Sequence, residues 1–143
     1  MKKSNKIVLI CLCFVLSVVV GINIFLLKSD ETNIKLFTEI SNSMSKNLNQ
    51  LRSTSGITLT ALASDPSKKL YKIGINFDEK SITSKQLKEA IEVYIQSSVS
   101  SMDEKNWESI MKPYDLRIEE LSTGSLLGEK QIGSTEIIWA SLN

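Results

Sequence analysis

Histidine is absent from this 143-residue sequence. With it go the usual general base near neutral pH and the commonest metal ligand. Cysteine is nearly absent: Cys11 and Cys13 are the only two, and both fall inside an apolar run. Two positions apart on a helix, they point about 200° away from each other and cannot bond within one chain. A disulfide scaffold and thiol chemistry beyond the apolar run are therefore excluded. Arginine occurs twice, as Arg52 and Arg117. Of the 17 basic residues, Lys2, Lys3 and Lys6 precede the apolar run, and all 16 acidic residues follow it. The remainder thus carries 14 basic residues and a formal charge of −2, which is not the electrostatic footprint of a nucleic-acid binder. No pattern asks for a cofactor or a metal. Abundant Lys, Ile, Ser and Asn fit an AT-rich bacterial coding sequence.

What the sequence does have is a long uncharged stretch. Ile7 to Leu27 reads IVLICLCFVLSVVVGINIFLL. At about 1.5 Å rise per residue, a helix of that length crosses a hydrocarbon core of roughly 30 Å. A cleaved leader has a shorter apolar core and small residues before the cut. Here the nearest approximation is Val19-Val20-Gly21, and cutting there would leave the strongly apolar INIFLL as the new start. A lipoprotein site needs a small residue before its cysteine, whereas Ile10 precedes Cys11 and Leu12 precedes Cys13. The run is expected to be a signal-anchor helix. Lys2, Lys3 and Lys6 on one side, against a near balance of Lys28, Asp30 and Glu31 on the other, orient it with the N-terminus in the cytoplasm. The expected organisation is a cytoplasmic tail (1–6), a transmembrane helix (7–27), a juxtamembrane amphipathic helix (28–52) and an extracytoplasmic α+β domain (53–143). Ser17 and Gly21 form a small-xxx-small pair, with the Asn23 amide close by. These three are the candidate residues for contact with another membrane helix.

Beyond the anchor, Ile34, Phe37, Ile40, Met44, Leu48 and Leu51 recur at helical spacing. Ser41 interrupts that seam as a heptad, so packing onto the domain's own sheet is expected rather than a coiled coil. Gly56 suits a backbone reversal. Alternation then places Ile57, Leu59 and Ala61 on one strand face and Thr58 and Thr60 on the other. DPSKK (65–69) signals a turn, and the return strand sets Tyr71, Ile73, Ile75 and Phe77 against Lys72, Gly74 and Asn76. Thr83 with Gln86 reads as a capping box, and Leu87, Ile91, Tyr94 and Ile95 as the apolar stripe of the helix it starts. Ser101 with Glu104 reads as a second box, opening a short helix with Trp107, Ile110 and Met111 that Pro113 ends. In the last third, Leu116 and Ile118 alternate with Arg117 and Glu119. Gly124, Gly128 and Gly133 interrupt the connection, and TEIIWASL (135–142) reads as a central strand. The expected domain is αββαββ: a four-stranded antiparallel sheet with helices on one face.

Chemistry-bearing patterns are few. SMSK (43–46) has the Ser-x-x-Lys spacing of serine acyl-enzymes without their partner motifs. GSLLGEK (124–130) is one residue short of a phosphate loop and lacks Ser or Thr after Lys130. The pairs Asp78-Glu79, Asp103-Glu104 and Glu119-Glu120 fall on expected turns and wet strand faces, and Glu108 has Lys105 and Lys112 nearby. Trp107, Tyr114 and Trp139 are the candidate lining of an exposed aromatic groove, or else core aromatics. The outline of short tail, one span, amphipathic helix and small α+β domain is similar in architecture to inner-membrane assembly proteins of pilus and type II secretion machines. That likeness is one of outline and names no family. The expected function is non-enzymatic: a single-pass membrane subunit that docks other envelope proteins or itself. The alternatives are a ligand- or peptide-sensing ectodomain and a small envelope enzyme.

Cell fractionation tests the anchor: the full-length protein is expected in the membrane fraction, and its absence there would overturn this reading. Affinity capture beside a Ser17→Leu/Gly21→Leu variant tests the helix contact, which unchanged partners and unchanged self-association would rule out.

Overall fold

The computed structural model describes residues 31–100, 102 and 106–140. The expected membrane helix (7–27), with Ser17, Gly21 and Asn23, lies outside these residues, as do Ser101 and Glu104. Among the described residues no helix is long and apolar enough to cross a membrane. The chain divides into two compact units, Met1–Leu36 and Phe37–Asn143. Residues 31–36 of the first are helical, and Ile34 there is exposed.

Helix continues through the second unit to residue 52, and residues 31–52 are called α1. Then follow β1 (Ile57–Asp65), a 3-10 turn (Pro66–Lys68), β2 (Leu70–Phe77), α2 (Ser84–Val99), α3 (Trp107–Met111), β3 (Asp115–Glu120), β4 (Leu126–Lys130) and β5 (Ile138–Trp139). The fold is α+β, as expected, but the sheet has five strands in the order β1-β2-β3-β4-β5 and is mixed. The β1/β2, β3/β4 and β4/β5 pairs are antiparallel, and β2/β3 is parallel. This corrects the four-stranded antiparallel sheet. A parallel neighbour cannot be reached by a hairpin, and the segment carrying α2 and α3 makes the crossover. The parallel ladder continues past both strand ends through Asp115 N–H to Lys69 O (2.8 Å) and Leu121 N–H to Ile75 O (3.1 Å).

The extra strand is β4. Its Gly128, a chain breaker by residue type, instead pairs with Ile118 and Trp139 within the ladder. A Cβ there would sit 2.8 Å from Trp139 Cε3, so the glycine makes room for the indole. The segment read as a central strand is instead the two-residue edge strand β5.

Tyr71, Ile73, Ile75, Leu116 and Ile118 form the buried face of the sheet, and Lys72 and Arg117 are exposed on the other. Phe37, Ile40, Met44 and Leu51 of α1 are buried with Leu87, Ile91, Tyr94, Ile95 and Val99 of α2. Each such aliphatic side chain contributes about 1.5–3 kcal/mol on burial. The Tyr71 hydroxyl donates to Phe37 O and that of Tyr94 to Met44 O, both at 2.8 Å. The amphipathic face of α1 thus packs onto its own domain.

Local signals hold where a cap or turn is complete in a few residues. Thr83 and Gln86 form the capping box. Asp65 caps the 3-10 turn, accepting from Ser67 N (3.1 Å) and Lys68 N (3.3 Å). The cap of α3 is Asn106, which accepts from Glu108 N at 3.1 Å, in place of the expected Ser101. Gly56 adopts φ +88°, and a Cβ there would lie 2.7 Å from Ile82 Cβ. Gly56→Ala is therefore expected to cost about 1–3 kcal/mol in denaturant unfolding. Gly124→Ala, also at positive φ but in open space, is expected to cost less. Equal losses would show that Ile82 yields to the added methyl.

Candidate functional site

The most distinctive surface is the free side of β1. This strand is nine residues long and stands at one end of the sheet. Its register shifts between Ile57 and Leu59, where Ile57 pairs with Phe77 and Leu59 with Asn76. One extra residue in one strand turns every later side chain to the opposite face. Ile57 is buried, whereas Leu59, expected on the same face, is 44% exposed. From there Thr60, Leu62 and Ser64 lie opposite the inward-facing Ile75, Ile73 and Tyr71, and Leu59, Ala61 and Ala63 point outward. Strict alternation could not show this, because a bulge leaves no mark in the apolar pattern. Thr58 Oγ1 donates to Asn76 O (3.2 Å) at the irregularity.

The outward face beside β1 is small and apolar at its centre, between Asn76 opposite Leu59 and Lys72 opposite Ala63. Gly74 lies next to Ala61 across the ladder. A Cβ on Gly74 would collide with Leu121 Cδ2, so Leu121 lies across the glycine. The turn bearing it is tied back by Ser122 N to Asn76 Oδ1 at 2.8 Å. Farther along the sheet the face becomes charged. Glu119 pairs with Arg117 and, at 3.8 Å, with Lys72. These exposed pairs add little stability. They do bound the apolar strip on one side. Edge strands are usually blocked by charge, proline or twist. From Ile57 to Ser64 there is no charge, Asp65 and Pro66 come only at the end, and the bulge lies at the other end.

A second feature is an open groove of about 440 Å³ lined by residues of α1, α2 and the loops beside them, among them Gln50, Ser81, Gln86, Glu89 and Tyr94. Several of its polar groups are engaged within the chain. Gln50 Oε1 accepts from Ser97 Oγ, Ser81 Oγ donates to Asp78, Gln86 Oε1 accepts from Thr83, and Tyr94 donates to Met44 O.

The three aromatics singled out in the sequence separate. Tyr114 is buried against Phe37 and Tyr71, with ring centroids 5.5 and 5.6 Å away, so it serves the core rather than an open wall. Trp139 lies against Gly128, with Lys88 Nζ 5.7 Å from its ring centre. Trp107 begins α3 and is half-buried. Of the acidic pairs, Asp78 is engaged by Ser81, Glu119 by Arg117, and Glu120 by Ser122 and Thr123, while Asp103 and Glu104 lie outside the described residues. Among the described residues no group of three or more His, Cys, Asp or Glu could hold a metal ion.

Lys130, which closes the rejected phosphate-loop match, is 1% exposed and donates to Tyr114 O (2.7 Å) and Gln131 O (3.3 Å). Burial lowers its pKa, with the Asp115 carboxylate opposing that shift. Its donors satisfy carbonyls at the start of β3 and the end of β4, a structural task that sequence spacing could not reveal. No family model matches the chain, and no curated protein or solved structure matches it.

Burial raises the pKa of Tyr71, Tyr94 and Tyr114. Above about pH 10, the ordinary phenol value, the unfolded chain releases protons that the folded chain keeps, so stability falls as pH rises. Lys130 acts in the opposite sense: its lowered pKa makes stability rise with pH in the window just below the usual lysine value. Net alkaline unfolding is expected, because three groups oppose one. Tyr71→Phe is expected to cost about 1 kcal/mol through its lost hydrogen bond. Tyr114→Phe is expected to preserve or raise stability, because its buried hydroxyl has no partner. Thermal melts from pH 7 to 11 check both, and an equal loss from the two variants would contradict the assignment.

Proposed function

We propose that the protein is a single-pass, membrane-anchored interaction or assembly subunit of a bacterial cell envelope, with its α+β domain outside the cytoplasm. It acts by binding rather than catalysis. The observation that supports this reading best is the uncharged free edge of β1, flanked by exposed Leu59, Ala61 and Ala63. An exposed edge offers backbone donors and acceptors to an added strand, and the neighbouring side chains supply apolar contact. The anchor and its orientation rest on residues 1–31 of the sequence. A ligand- or peptide-sensing ectodomain is the alternative, using the groove between α1 and α2. The internal use of several of its polar groups favours the edge.

The test is native complex size in mildly solubilised membranes, comparing the full-length protein with a Leu59→Lys/Ala63→Lys variant and an Ile138→Lys control on the opposite edge strand. The β1 variant is expected to lose the higher-mass assembly while keeping its melting profile, and the control is expected to retain it. An assembly unaffected by the β1 charges, or no assembly at all, would overturn the reading.

A further inference from the structure

We infer that the occupant of the β1 edge is the β1 edge of a second copy, paired antiparallel about a two-fold axis at Ala61. This rests on the reading of that edge as the working surface and names its partner.

The argument starts from what a two-fold axis demands. Each residue must tolerate its counterpart in the same strand, and the residue on the axis must tolerate itself. Ala61 is the midpoint of Ile57–Asp65 and is exposed, small and neutral. An antiparallel partner centred there sets Leu59 beside Ala63 on the outward face, a large side chain against a small one, and Thr60 beside Leu62 on the inward face. From Leu59 to Ala63 every pair keeps both side chains on one face, as a continuous sheet requires, and the match ends at the bulge beside Ile57. This register sets Asp65 opposite Ile57 at the bulged strand end, whereas centring on Leu62 would bring the Asp65 carboxylate against Leu59 within the regular part of the strand.

Charge selects the direction. A parallel pair in register would stack Asp65 on Asp65 and Lys68 on Lys68. The antiparallel pair moves the two Asp65 residues eight positions apart, about 27 Å at about 3.4 Å per residue. Between them runs a stretch with no ionisable side chain in either copy. The apolar residues Leu59, Ala61, Ala63 and Leu121 then meet across the axis as one strip, with Lys72 beside Ala63 at its border in each copy. Confinement of both copies to one membrane raises their effective concentration, so a contact of modest area suffices.

The experiment uses full-length protein in membranes with Cys11→Ser and Cys13→Ser. Ala61→Cys is expected to form a self-disulfide on mild oxidation, at least 10-fold more than Glu92→Cys on exposed α2. Co-expressed Leu59→Cys and Ala63→Cys chains are expected to cross-link to each other. Ala61→Lys and Ala61→Glu are each expected to lose the dimer while melting normally, and their co-expression is expected to restore it. A homodimer indifferent to both charges would overturn the inference. Cross-linking of Ala61→Cys to a different polypeptide would overturn the second copy as occupant while leaving edge docking intact. No cross-link from any β1 position would overturn both.

Discussion

The parallel pairing of β2 with β3 is the constraint on which the rest of the structure depends. Two adjacent parallel strands cannot be joined by a tight turn, so the chain must leave the end of β2 and return to the start of β3. The intervening segment does this, and α2 buries its Leu87, Ile91, Tyr94 and Ile95 stripe as it returns. The hairpin strands β1 and β4 then fall outside the parallel pair, and among the described residues no strand pairs beyond β1. The free edge is thus a consequence of topology. Whether it is usable depends on side chains, and along Ile57–Ser64 none of them carries charge.

The second determinant is how α1 is held. Tyr71 reaches Phe37 O from the sheet and Tyr94 reaches Met44 O from α2. Both acceptors are carbonyls inside a helix, which keep a lone pair available after the intrahelical bond. Two hydroxyls from different elements thus fix α1 at points about two turns apart. Ser41 Oγ and Ser64 Oγ, 2.8 Å apart, add a contact at the end of β1. These attachments engage the inward side of the domain, while Leu59, Ala61 and Ala63 on the outward face are exposed. Of the groups spent here, the Tyr94 hydroxyl also lies on the groove between α1 and α2.

Much of this was legible in the sequence because many of the signals are local. The apolar stripes of α1 and α2, the Thr83–Gln86 box, the Asp65 turn and the inward set Tyr71, Ile73 and Ile75 are each specified within a few residues. What stayed hidden depends on distant partners. Parallel and antiparallel pairing of β3 share one alternating pattern, so Leu116 and Ile118 could not tell which way β3 runs against β2. Gly128 resembles a breaker until Trp139 is seen to fill its missing side chain. The bulge after Ile57 moves Leu59 and Ala61 outward although the alternation predicts a single face with Ile57, and the candidate site follows from that shift. Lys130 and Tyr114 show the same limit: their burial is set by residues more than a dozen positions away.

Closure distinguishes a functional edge from an aggregation hazard. A long uncharged edge strand that met any other edge would extend into an open stack. An isologous pair instead consumes both β1 edges at once and leaves only the two β5 strands at the ends of the combined sheet. Each β5 is two residues long, and the backbone bonds it can offer are too few to recruit another strand. The short β5 therefore does for the far edge what charge would otherwise have to do for β1. A two-fold partnership at Ala61 makes the missing charges intelligible: a lysine at that position would face its own copy across the axis, and one elsewhere on Leu59–Ala63 would meet an uncharged side chain of the partner strand.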